Sequence, residues 1–177
     1  MTQIPSDHPD SEIARLGAIG VRAVRFCMFR GRIVSVDDIV ALAARCHSVA
    51  GWHAEIYADA AALATHLGKL AKLPQLCIDH LGMTEAGLPV LLELVAASCK
   101  VKATGFGRVQ MDAARALERI VAANPEALVF GTDMPSTRAK RPFGPADIEL
   151  VEKSLGAELA SKAFWTNPLA LYRVSAP

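Results

Sequence analysis

Gln75-Leu76-Cys77-Ile78-Asp79-His80-Leu81-Gly82 reads as a short buried strand that runs out onto an acid and an imidazole. Thr84 follows, and from there the apolar residues of 85–97 return at helical spacing. A strand of residues 75–79 feeding a helix is one half of a crossover unit, and the chain repeats it. Further β-branched or apolar runs occupy 21–26, 52–57, 99–103 and 128–131. Helical segments are expected over 11–18, 36–49, 60–70, 111–123, 145–155 and 157–165. Ser35 with Asp38, Asp59 and Thr84 serve as helix starts, and Gly156 as a stop. Strand then helix, five times over, implies an α/β fold with a parallel sheet covered by helices. The units recur roughly every 23–31 residues, which suits a (β/α)8 barrel or a doubly wound sheet equally.

In both architectures the chemistry collects where strands end. Those positions hold Arg25, Tyr57, Asp79-His80 and Asp133, while the fourth strand leads through Gly105 and Gly107 to Arg108. Each has an ordinary structural explanation when taken singly: a surface ion pair, a core ring, a turn residue. Their shared placement is what points to a site. Two guanidiniums can hold carboxylates by paired hydrogen bonds, and an imidazole with an acid can polarise a carbonyl and activate water. Side chains alternate along a strand, so Tyr57 facing inward turns His53 and Glu55 inward too, where burial demands partners. Asp133 shares its direction with Gly131 and Val129.

The 177 residues are 52% hydrophobic and 21% charged, with 19 Lys plus Arg against 18 Asp plus Glu. One globular domain over 1–177 is expected, with no surplus charge for nucleic acid or anionic membranes. No apolar run approaches a membrane span, and Asp7, Asp10 and Glu12 do not suit a signal peptide. Cys27, Cys46, Cys77 and Cys99 lack CxxC spacing and read as reduced thiols of a cytoplasmic protein. Gly105-Phe106-Gly107 is followed by Gln110 in place of a third glycine, so it is not a dinucleotide fingerprint, and no phosphate loop occurs. The five histidines form neither HxH nor HExxH. Arg138, Lys140 and Arg141 read as a solvated loop face.

Cys77-Ile78-Asp79-His80-Leu81-Gly82 resembles the IDHLG strand end of the amidohydrolase-related TIM-barrel hydrolases. Phe130-Gly131-Thr132-Asp133-Met134-Pro135 resembles their GTDWP strand, and Asn167-Pro168-Leu169-Ala170-Leu171-Tyr172 their closing NPxxLY. Gly20-Val21-Arg22-Ala23-Val24-Arg25-Phe26 and Gly51-Trp52-His53-Ala54-Glu55-Ile56-Tyr57 resemble the 2-pyrone-4,6-dicarboxylate lactonase branch. The resemblance implies a hydrolase opening a carboxylated cyclic ester. Asp133 would activate water, His80 would polarise the carbonyl and Tyr57 would position the substrate. Arg25 and Arg108 would hold its carboxylates, with Arg30 or Arg32 as a third clamp.

The same resemblance implies an incomplete barrel of about five units in eight, lacking a His-x-His strand. Bare sheet edges at 21–26 and 128–131 and an apolar inner face would then favour a homo-oligomer. No cofactor is expected, since His80 and Asp133 are too few ligands for a catalytic zinc. The alternatives are a metal-dependent amidohydrolase or decarboxylase, with a divalent metal such as zinc on His80 and Asp133, and an inactive barrel fragment.

Overall fold

Five short strands carry the chain's β-branched and apolar runs: β1 (Ala23–Cys27), β2 (His53–Tyr57), β3 (Leu76–Ile78), β4 (Lys100–Ala103) and β5 (Leu128–Phe130). They form one parallel sheet in the order β1-β2-β3-β4-β5. The computed structural model describes residues 1–29, 35–137 and 139–174. Arg30, Arg32 and Arg138 therefore lie outside the described residues. Sequential order settles the choice that spacing left open. A doubly wound sheet reverses direction at a switch point, whereas a barrel adds each strand beside the last.

The helices are α1 (Asp10–Ala18), α2 (Val36–Ala50), α3 (Leu67–Leu70), α4 (Leu88–Ala96), α5 (Ala113–Ala123), α6 (Pro145–Ser161) and α7 (Asn167–Tyr172). Ser35 caps α2 by accepting from the Asp38 amide at 3.1 Å, and Gly51 ends it in the left-handed region. Two expected helices begin differently. Residues 60–66 wind as a 3-10 helix before α3, capped by the Asp59 side chain on the Ala61 amide and burying Ala60 and Leu63. Residues 85–87 form a 3-10 turn capped by Thr84, and Pro89 opens the α-helical part. The continuous α6 is broken where expected, at Gly156 with φ 71° and ψ 171°. No described helix is long and apolar enough to cross a membrane.

One sheet face is apolar: Val24, Phe26, Ala54, Ile56, Ile78, Val101 and Leu128 pack into the main core with the helices. The other face is not the bare apolar interior expected. It carries Arg25, His53, Glu55, Asp79, Lys102 and Thr104, and among the described residues Cys77 and Val129 form a small apolar patch there with Leu171 of α7. Nor is the β1 edge bare, since the Thr2 amide donates to the Ala23 carbonyl at 3.0 Å and the Arg25 amide to that of Thr2 at 2.8 Å. The closing Asn-Pro motif has a mechanical role. The buried Asn167 amide donates to the Leu128 carbonyl at 2.9 Å, tying α7 to β5. Replacing Asn167 with Ala should cost about 1–3 kcal/mol, measured as a fall in urea-unfolding free energy.

Candidate active site

The carboxyl ends of the strands deliver the sequence-selected groups to one cleft. His80 follows β3 and Asp133 follows β5, and both adopt left-handed backbone, with φ of 51° and 55°. Such conformations are uncommon for residues with a Cβ and concentrate at functional positions. His80 Nε2 stands 3.9 Å from Asp133 Oδ1, and its Nδ1 meets the Thr104 hydroxyl at 2.8 Å. Gly105 makes this approach possible. A Cβ there would lie 2.7 Å from His80 Nδ1 and 3.1 Å from Asp133 Oδ2, and its φ of +61° further excludes side chains. Burial pushes the His80 pKa below its usual value, outweighing the pull of Asp79 and Asp133, so the ring is neutral near pH 7.

Tyr57 lies between His80 and Arg25. Its ring meets the imidazole edge-on at 5.0 Å, and the Arg25 guanidinium carbon stands 5.4 Å from the ring centre. Arg25 and Arg108 both reach the cleft, but each already holds a carboxylate of the protein. Arg25 donates from Nε and Nη2 to Asp79 Oδ2 at 2.9 and 2.6 Å. Arg108 donates from Nε to Asp133 Oδ2 at 2.5 Å and from Nη2 to the Thr137 carbonyl at 3.0 Å. Among the described residues the Nη1 group of each arginine makes no hydrogen bond and remains to meet a ligand. Both arginines therefore reach the cleft already paired. Partly buried cations need partners, and carboxylates on nearby strands supply them.

A buried polar lattice continues below the cleft. His53 Nε2 donates to Glu55 Oε1 at 3.0 Å, and the Tyr172 hydroxyl donates to the same oxygen at 2.9 Å. Lys102 Nζ stands 2.6 Å from Glu55 Oε2 and 3.1 Å from Asp79 Oδ1, the second contact too poorly angled for a hydrogen bond. His53 and Glu55 are thus paired structurally, as parity suggested. Lys102 and Thr104 were missed. The available signal was the inward parity of Glu55, a buried acid that requires a cation from a neighbouring strand. Burial alone would raise the Glu55 pKa, but the hydrogen bond from His53 and the charge of Lys102 hold it at about 2.

Arg25, His80 and Asp133 are shared by two cavities, an inner one of about 230 Å³ and one at the mouth of about 420 Å³. Cys27 lies at the mouth, and Cys46, Cys77 and Cys99 are buried free thiols. Arg141 is bound to Asp147 at the start of α6, so it anchors that helix. Among the described residues no three His, Cys, Asp or Glu side chains converge as metal ligands would.

The protein-family model described as Amidohydrolase matches residues 1–174. No curated protein matches the chain. Among solved structures, a probable 2-pyrone-4,6-dicarboxylic acid hydrolase of Acinetobacter baumannii with citric acid bound is similar, with TM-score 0.80 and 19% identity. That match covers 98% of this chain and 72% of the other. A ligand-free Agrobacterium tumefaciens structure is similar with TM-score 0.79 and 24% identity, covering 100% and 70%. At these identities the two structures speak to the fold, a TIM-barrel arrangement.

The Glu55 site makes a stability prediction. A carboxyl lowered from 4.5 to about 2 adds stability that is complete above its unfolded pKa and lost as pH falls through the folded one. That contribution is on the order of 3 kcal/mol. Urea unfolding from pH 6 to pH 2 should show it, and Glu55→Gln should flatten the curve over that range while lowering stability at pH 7.

Proposed function

The chain belongs to the amidohydrolase family, and from that premise we propose that it is a hydrolase opening a carboxylated lactone or related ester, in the manner of a 2-pyrone-4,6-dicarboxylate lactonase. The observation that supports this most is the meeting of His80 and Asp133 at 3.9 Å between two arginines whose Nη1 groups have no partner among the described residues. A carbonyl oxygen or a water fits at that separation, and two carboxylates fit the two guanidinium edges.

In this reading the substrate enters the mouth cavity, its carboxylates meeting Arg25 and Arg108 and its ring lying against Tyr57. Arg30 or Arg32 would add a third contact. The Thr104 hydroxyl stands 2.8 Å from His80 Nδ1; in the tautomer in which it donates there, the Nε2 hydrogen is left to polarise the scissile carbonyl. Asp133 Oδ1, the oxygen not engaged by Arg108, takes a proton from water as the water oxygen bonds to the acyl carbon. The ring carbon–oxygen bond then breaks, and that proton passes to the leaving oxygen. Charge developing on the carbonyl oxygen is met by the His80 donor.

A divalent metal on His80 and Asp133 suits these residues poorly. The Arg108 Nε already sits 2.5 Å from one Asp133 oxygen, and the pair falls short of the roughly three protein ligands of a catalytic zinc. No step is therefore routed through a metal.

Purified protein incubated with 2-pyrone-4,6-dicarboxylate should open the ring, seen as loss of the pyrone absorbance, with the rate unchanged by a chelator. Asp133→Asn should lower kcat by roughly 10²–10⁴-fold. Because the active His80 is neutral and burial lowers its pKa, its acidic limb should lie below pH 6.5. A well-folded sample that leaves this lactone intact overturns the substrate assignment.

A further inference from the structure

We infer that Lys102 is a positioning residue for Arg25: by bridging Glu55 and Asp79 across the inner face, it holds Asp79 where that carboxylate aims the guanidinium at the cleft. The inference deepens the proposed function, on which the identity of Arg25 as a substrate clamp rests. Four strands contribute to the chain of contacts. Glu55 of β2 binds Lys102 of β4 at 2.6 Å, Lys102 reaches Asp79 after β3 at 3.1 Å, and Asp79 grips Arg25 of β1 through a single oxygen.

The weak member of this chain is Asp79. It is 1% exposed, and its Oδ1 has no aligned hydrogen-bond donor among the described residues, so the Lys102 charge is the compensation that oxygen receives. A buried carboxylate deprived of its cation takes up a proton or draws in another donor. Without Lys102, Glu55 keeps its His53 and Tyr172 partners, while Asp79 keeps Arg25 alone among the described side chains. A protonated or shifted Asp79 no longer fixes both Nε and Nη2 of Arg25, and the Nη1 edge loses its aim. Lys102 lines the inner cavity together with Arg25, His80 and Asp133, so its influence falls on the site itself.

A merely structural lysine would lower stability and leave the balance of binding and turnover untouched. The test compares the wild type with Lys102→Met, Lys102→Arg, Arg25→Met and the Lys102→Met/Arg25→Met double variant. Citrate binding is followed by calorimetry and 2-pyrone-4,6-dicarboxylate hydrolysis by absorbance. Lys102→Met should weaken citrate and raise KM about tenfold, with a much smaller fall in kcat. Lys102→Arg should recover most of the affinity. The double variant should bind no worse than Arg25→Met alone, because both changes remove one function. Additive losses, or an unchanged KM in Lys102→Met, overturn the inference. If Lys102→Met fails to fold, Glu55→Gln/Lys102→Met keeps the charge balance and takes its place. A crystal structure of the variant separates this inference from the substrate assignment. Arg25 released from Asp79 supports the role of Lys102 even where no lactone is hydrolysed, and an intact fork refutes it.

Discussion

The pairing of charges across the inner face of the sheet is the constraint on which the site depends. Three cations, Arg25, Lys102 and Arg108, stand against three carboxylates, Glu55, Asp79 and Asp133, at contact distances of 2.5–3.1 Å. Pairs of this kind contribute little net stability relative to apolar packing, yet losing one partner leaves a buried charge that is costly. The balance explains why a face with so many ionisable groups can sit against the core of a small domain. It also sets the terms for a ligand. In the proposed reading, an anionic substrate would be recognised by guanidinium edges already aimed by protein carboxylates.

Backbone geometry prepares the same cleft. His80 and Asp133 both occupy left-handed conformations, and Gly105 between them leaves out the one Cβ that would keep them apart. Thr104, immediately before that glycine, binds the far nitrogen of the imidazole. One short stretch at the end of β4 thus provides room, orientation and, through Arg108, a partner for Asp133. The opposite end of the sheet is closed by α7, with Asn167 tied to β5 and Tyr172 to Glu55. The closing motif is therefore mechanical, and it connects directly to the charged lattice that supports Arg25.

Membership of the amidohydrolase family agrees with this division of labour, in which crossover units form the scaffold and loops after the strands hold the reactive groups. Family alone does not choose a substrate. The choice of a carboxylated ester rests on arginines beside an imidazole–carboxylate pair, which is a property of side chains at the strand ends.

The five crossover units, the helix caps at Ser35, Asp59 and Thr84, the break at Gly156 and the groups Arg25, Tyr57, His80, Arg108 and Asp133 were legible in the residues themselves. Periodicity, capping and strand ends are local, and a chain writes local preferences directly into its order. Spacing left a barrel and a doubly wound sheet equally open, and the strand-end motifs, by their resemblance, pointed to the barrel that the strand order shows. The pairing of both arginines with internal carboxylates and the contacts of Lys102, Thr104 and Tyr172 were decided only in three dimensions. Those depend on which side chains from distant segments share a desolvated face. Burial forces such groups to find one another, and their separation along the chain carries no record of it.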